Sequence, residues 1–208
     1  MEANENTLEE YKKVALKVRD RVQKELPIIS CLLDAIGSNE GSIQLLPQLV
    51  HSIAVIAPTK SHLFLDGVYD IYDEMIQVGK PHSIEHDPWK SIKKTHSVVS
   101  KLYTQEKDEF LRQLNHHKSI LEARKLEEED LDINAEIERE KDYFQHVECD
   151  ISSAIKSFIF LMIVGYEPTE KQMSAMRKMV ALSKDILTNE KARHENSLKT
   201  CNQILGEQ

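Results

Sequence analysis

Between Pro88 and Glu167 the chain carries no proline and a single glycine, Gly165. So long a run without breakers suits long helices. Strands are short and need a turn every few residues, built on Gly, Pro, Asn or Asp. The whole chain of 208 residues holds only 6 Gly and 6 Pro. That is too few for the turns of a β-sandwich or a doubly wound fold, so the sequence predicts an all-α protein.

The apolar spacing inside this run sharpens the expectation. Ile92, Val99, Tyr103, Phe110, Leu114 and Leu121 recur at intervals of seven and four residues, the seam of a coiled-coil-like helix. Asp87-Pro88 supplies a cap followed by proline at the first helical position. A helix from 88 to 130 would be roughly 65 Å long at 1.5 Å per residue. The acidic block 127–134 reads as a tip or turn. A second seam, Phe144, Val147, Ile151, Ala154, Phe158 and Leu161, then becomes apolar nearly all round by Val164, as expected of a helix at the centre of an assembly. Gly165-Tyr-Glu-Pro168 breaks it. Thr169 followed by Gln172 is a capping box that opens the last helix. That helix has an apolar root at Met173, Met176 and Val180 and a wetter outer stretch at Glu190, Lys191 and His194.

The first 80 residues are more interrupted. Thr7 and Glu10 form a capping box ahead of the stripe Tyr11, Val14, Ala15, Val18 and Val22, and Pro27 is a place for a kink or a new start. A stop at Gly37–Gly41 precedes two shorter helices, about 42–56 and 60–78, ended by Pro58 and Gly79. The expectation is one helical domain over 1–208, with shorter helices in 1–80 and long ones in 81–208.

Composition bounds the chemistry. The formal net charge of −8 argues against general nucleic-acid binding. The charge is segregated, however. Residues 90–125 hold nine basic and four acidic side chains, residues 171–199 hold seven and three, and residues 127–140 hold one and eight. No phosphate-binding glycine loop, GxSxG or HExxH motif occurs. His116 and His117 point about 100° apart on a helix, and His146/Asp150 is an isolated pair, whereas a zinc site needs three or four ligands. No catalytic residue, metal or cofactor is expected. Cys31, Cys149 and Cys201 read as reduced core thiols of a cytoplasmic protein. The polar N-terminus does not resemble a signal peptide, and the longest apolar run, Phe158–Val164, is far short of the 20 or so residues that span a bilayer. The all-round apolar segment beside the methionine cluster predicts a dimer or partner interface at Phe158, Phe160, Met162, Met173, Met176 and Val180.

The layout resembles a BAR domain, the helical dimer module of sorting nexins, amphiphysins and arfaptins. Leu33-Asp-Ala-Ile-Gly-Ser38 is similar to the Leu-Gly-Ser turn of sorting-nexin BAR regions. A Leu-rich segment follows at 45–54, then a long helix from Asp87, a charged tip near 124–134 and a last long apolar stretch. The resemblance implies an elongated antiparallel bundle, a homo- or heterodimer, and basic residues on a concave face that meets an anionic membrane. It places phosphate contact at Lys107, Arg112, Lys118, Arg124 and Lys125, on the outer half of the long helix. The function so implied is a non-enzymatic scaffold, peripheral on endosomal or other membranes. The reading of a different class is a soluble coiled-coil adaptor that binds partner helices through a methionine-rich groove, without a lipid role.

Overall fold

Pro27 does not break the first helix. In the computed structural model, which describes residues 2–37, 42–79, 86–106, 112, 116 and 149–206, helix α1 runs unbroken over Glu2–Gly37. It begins ahead of Thr7, because residues 2–6 contain no breaker. Its buried row is Ala15, Val22, Ile29 and Ile36, one residue every seven, while Tyr11, Val14 and Val18 are exposed. The sequence stripe therefore mixed two rows, and only Ala15 and Val22 belong to the buried one.

The next two helices match their expected limits, with tighter starts. A 3-10 turn at Ser42–Leu45 leads into α2, Leu46–Ile56, and another at Pro58–Phe64 leads into α3, Leu65–Val78. Pro47 occupies the first turn of α2, where its missing N–H costs nothing. Gly79 ends α3 at φ 84°, a conformation that a side chain disfavours. Helix α4 is His86–Lys101, with Pro88 in its first turn, and it widens into a π-turn at Leu102–Glu106. The outer part of the expected 88–130 helix, apart from the helical Arg112 and His116, and the tip at 127–134 lie outside the described residues.

Helix α5 covers 149–163 and α6 covers Glu170–Leu205. Between them the expected break is a built motif. Tyr166 N–H donates to the Leu161 carbonyl at 2.9 Å and Gly165 N–H to that of Met162 at 3.2 Å, with Gly165 at φ 102°. These two bonds and a left-handed glycine make a Schellman cap, and its apolar closure is the buried pair Leu161 and Tyr166. The capping box that follows is complete. Thr169 N–H donates to Gln172 Oε1 at 2.9 Å, and Gln172 N–H to Thr169 Oγ1 at 3.3 Å.

Every described element is helical, and no strand occurs among the described residues. The chain forms two compact units: Met1–Ser42 with Leu182–Gln208, and Ile43–Ala181. The chain passes from one unit to the other after Ser42 and again inside α6, after Ala181. In the second unit α2, α3, α4, α5 and the start of α6 bury Leu49, Ile53, Tyr72, Ile92, Phe158 and Met176. Gly67 lets α3 approach α6: a Cβ there would stand 2.7 Å from Met179 Cγ. In the first unit α6 buries Leu187, His194 and Cys201, again one residue every seven. Cys31 and Cys149 are exposed, so only Cys201 is the core thiol that composition implied.

Candidate functional site

The C-terminal part of helix α5, from Phe158 onward, is apolar all round, and only some of these side chains are buried. Ile151, Ala154, Ile155, Phe158 and Leu161 face the core. The opposite row is Lys156, Phe160, Ile163 and Val164, at the i, i+4, i+7 and i+8 spacing of one helical face. Its three apolar members are 62%, 74% and 60% exposed. Scattered apolar side chains are ordinary on a surface, but three large ones in adjacent turns form a patch.

Two hollows flank this ridge. The one toward α2 is open, about 680 Å³, and is lined by Gln44, Pro47, Gln48 and His51 together with Lys156, Ile159, Phe160 and Ile163. The one toward α4 is about 400 Å³ and is lined by Tyr72, Ser91, Ile92 and Thr95 with Lys156, Ser157, Phe160, Leu161 and Val164. Phe160 and Lys156 border both. Tyr72 closes the second hollow: its hydroxyl donates to the Ala154 carbonyl at 2.9 Å, its ring meets Phe158 edge-on, and burial pushes its phenol far above the usual range. Lys156 is exposed and pairs with no carboxylate among the described residues.

Of the six interface residues expected from sequence, the structure brings Phe160 to the surface and leaves Met162 and Met173 half-buried. Phe158, Met176 and Val180 are buried in the core of the second unit. The methionine-rich groove is therefore not a surface feature: Met176 and Met179 fill the interior, where an unbranched thioether adapts to irregular gaps. Lys156, Ile163 and Val164 complete the ridge and were not singled out as interface residues, although their spacing was readable. Of the expected phosphate contacts, Arg112 is helical and exposed, and Lys107, Lys118, Arg124 and Lys125 lie outside the described residues.

Two other clusters have chemical character. On α3 and α4, Asp73 Oδ1 is 3.8 Å from His96 Nε2, and Ser100 Oγ is 3.2 Å from the same nitrogen. A nucleophile relay needs the acid and the hydroxyl on opposite ring nitrogens, so this set is not one. In the first unit His194 is buried against Glu25. Among the described residues no group of three or more His, Cys, Asp or Glu side chains could hold a metal ion, and no helix is long and apolar enough to cross a membrane. No protein-family model, curated protein or solved structure matches the chain.

Proposed function

We propose that the protein is a non-enzymatic helical adaptor whose second unit takes an amphipathic helix of a partner protein along the α5 ridge. The observation that carries this reading is the exposed row Phe160, Ile163 and Val164, set between two hollows and ended by Lys156. A helix laid beside Phe160 can place apolar side chains in a hollow at i, i+3, i+4 and i+7, the usual mode of helix-in-groove binding. Covering the three side chains would stabilise the complex by about 1–2 kcal/mol each before the cost of association, so the partner's own buried side chains and its pairing with Lys156 must supply the rest of the roughly 8 kcal/mol net that a micromolar complex needs. Lys156 calls for an acidic residue on the partner.

The test is selection of helical peptides displayed on phage against the purified chain. Selected sequences should share the apolar spacing with an acidic residue nearby. Their affinity should fall tenfold or more with Phe160→Glu, and severalfold with Lys156→Glu. Selected peptides that bind the Phe160→Glu variant as tightly as the parent would refute the reading.

A specific observation keeps the membrane reading as the second. Lys90, Lys93, Lys94 and Lys101 of α4, and Lys171, Arg177, Lys178, Lys184 and Lys199 of α6, are all exposed. Each basic residue near an anionic surface contributes about 1 kcal/mol. On that reading the protein is a BAR-like elongated dimer, and it would sediment with anionic vesicles at low salt. Replacing Lys107, Arg112, Lys118, Arg124 and Lys125 by Gln should abolish the sedimentation. Absence of vesicle binding at low salt removes the membrane reading and leaves the helix-binding one untouched.

A further inference from the structure

The first unit carries a surface that the α5 ridge does not involve. Residues 11–24 of α1 hold six basic side chains and one acidic, in a chain whose formal net charge is −8. Lys12, Lys13, Lys17 and Lys24 are exposed, and none of them pairs with a carboxylate among the described residues. Arg21 is exposed as well and donates to Glu25 Oε1 at 2.8 Å. Tyr11, Val14 and Val18 of the same stretch are 62%, 59% and 38% exposed. A charged helix face in water is ordinary, but three apolar side chains in adjacent turns along its edge form a strip.

Helical rotation orders these residues around α1. Each residue advances about 100°. With Tyr11 at zero, Val14 and Val18 fall at about 300° and 340°, and the buried Ala15 and Val22 at about 40° and 20°. Lys13, Lys17, Arg21 and Lys24 occupy about 200–280°. The strip therefore has a basic flank on one side and the buried row on the other. The second helix of this unit is α6, so α6 covers the buried row. The centre of the strip lies about 60° from it, the angle at which two helices of a triangular bundle stand as seen from the third. A helix laid on the strip would rest on α1 and lie alongside α6.

We propose that Tyr11, Val14 and Val18, with the basic flank beside them, form a second docking surface whose occupant is an acidic amphipathic helix of a partner protein. Charge and shape select that occupant. A second copy of this chain laid α1 to α1 would bring the basic flank against its like. A bilayer takes a helix with a broad apolar face that sinks into it, whereas this strip is only about 60° wide and is bordered by α6. An acidic helix meets both features. Its apolar residues at i, i+3 and i+7 pack on the strip, and Asp or Glu beside them face Lys13, Lys17 and Lys24, as on the charged flank of a coiled coil.

Binding of two synthetic three-heptad helices to the full chain tests this. Both carry Leu at a and d, one has Glu at every e and g position, and the other has Lys there. The acidic helix should bind and the basic one should not. Raising the salt from about 0.05 M to about 0.5 M should weaken binding about tenfold. Lys17→Glu with Lys24→Glu should weaken it about tenfold as well, and Val14→Ser about threefold. All three side chains are exposed, so the variants should fold. Phe160→Glu should leave this binding unchanged, which separates the surface from the α5 ridge, so that either reading can fail without the other. No binding of the acidic helix at about 0.2 mM, equal binding of the basic helix, equal binding by the double lysine variant or by Val14→Ser, or loss of binding in Phe160→Glu overturns the proposal. Sedimentation with anionic vesicles that is lost in the double lysine variant, without capture of the acidic helix, assigns the strip to a membrane and overturns it too.

Discussion

Gln172 is the side chain whose replacement the second unit should tolerate least for its size. It is fully buried, and its amide has three partners. Its Oε1 accepts from Tyr166 Oη at 3.0 Å and from Thr169 N–H at 2.9 Å, and its Nε2 donates to the Ile71 carbonyl of α3 at 3.0 Å. Gln172→Leu keeps the volume nearly constant and removes all three bonds. The buried Tyr166 hydroxyl loses its partner at about 1–3 kcal/mol, and loss of the cap costs about 1 kcal/mol. The Ile71 carbonyl sits inside α3, where it keeps the helix bond of its own turn, so its share is about 0.5 kcal/mol. Burying the extra apolar surface of leucine returns about 1 kcal/mol. The net is a loss of about 2–3 kcal/mol. Trp89, the only tryptophan, is buried in the same unit, so its fluorescence in a urea titration reads this unit directly. The midpoint should fall with little change in slope, and Thr169→Ala should lose about 1 kcal/mol. A Gln172→Leu variant within 0.5 kcal/mol of the parent, on the scale of those costs, would show that the amide is not the junction described.

Gly67→Ala should destabilise the same transition by about 1 kcal/mol, because overpacking against Met179 costs about 1–3 kcal/mol and the gain in helix propensity returns less than 1; a rise in the urea midpoint contradicts the close approach. Glu25 gives an acid-side prediction. Burial pushes its carboxyl up, but the hydrogen bonds from His194 and Arg21, with their charges, outweigh this and hold it below the ordinary range. A depressed carboxyl contributes stability above the unfolded value that is lost as pH falls through the folded one. Glu25→Gln should therefore be less protected than the parent in amide exchange over 15–36 at neutral pH, and the gap should close toward pH 3.

What was legible in the sequence was local. The capping box at Thr169–Gln172 and the breaks at Gly79 and Gly165 are codes of a few residues, and each appears where the pattern placed it, whereas α4 takes in His86 and Asp87 and so starts two residues ahead of Pro88, the first helical position expected after an Asp87 cap. What was not legible depended on partners far along the chain. Gln172 reads as half of a cap, and nothing in its neighbourhood announces the Ile71 carbonyl, 101 residues away. His194 reads as a polar slot in a wet, outward stretch of helix, yet it is buried because Glu25, 169 residues away, supplies the charge that makes burial tolerable. The stripe on α1 failed for another reason. Tyr11, Val14 and Val18 obey helical spacing as well as Ala15 and Val22 do, and periodicity cannot say which of two adjacent rows faces inward.

The same ambiguity on α5 bears on function. A stretch that is apolar on every side, as 158–164 is, has no preferred way to face the core, so something must fix its rotation. Tyr72 does so at one point, through its bond to the Ala154 carbonyl and its contact with Phe158. The Schellman cap does so at the end, where Tyr166 is held by Leu161 and by Gln172. Both fixtures turn Phe158 inward, and Phe160, Ile163 and Val164 lie outward as a consequence. These exposed residues contribute little to the fold, since their burial would have required a different rotation. A surface carried on the last turns of a capped helix is already ordered before anything binds, which lowers the entropic cost of association. Phe160→Ser should therefore leave the Trp89 transition within about 0.5 kcal/mol of the parent, the usual range for a surface substitution, while it removes the anchor of the proposed groove. If the transition instead moves by 2 kcal/mol or more, on the scale of a core truncation, Phe160 is a packing residue and α5 presents a different face.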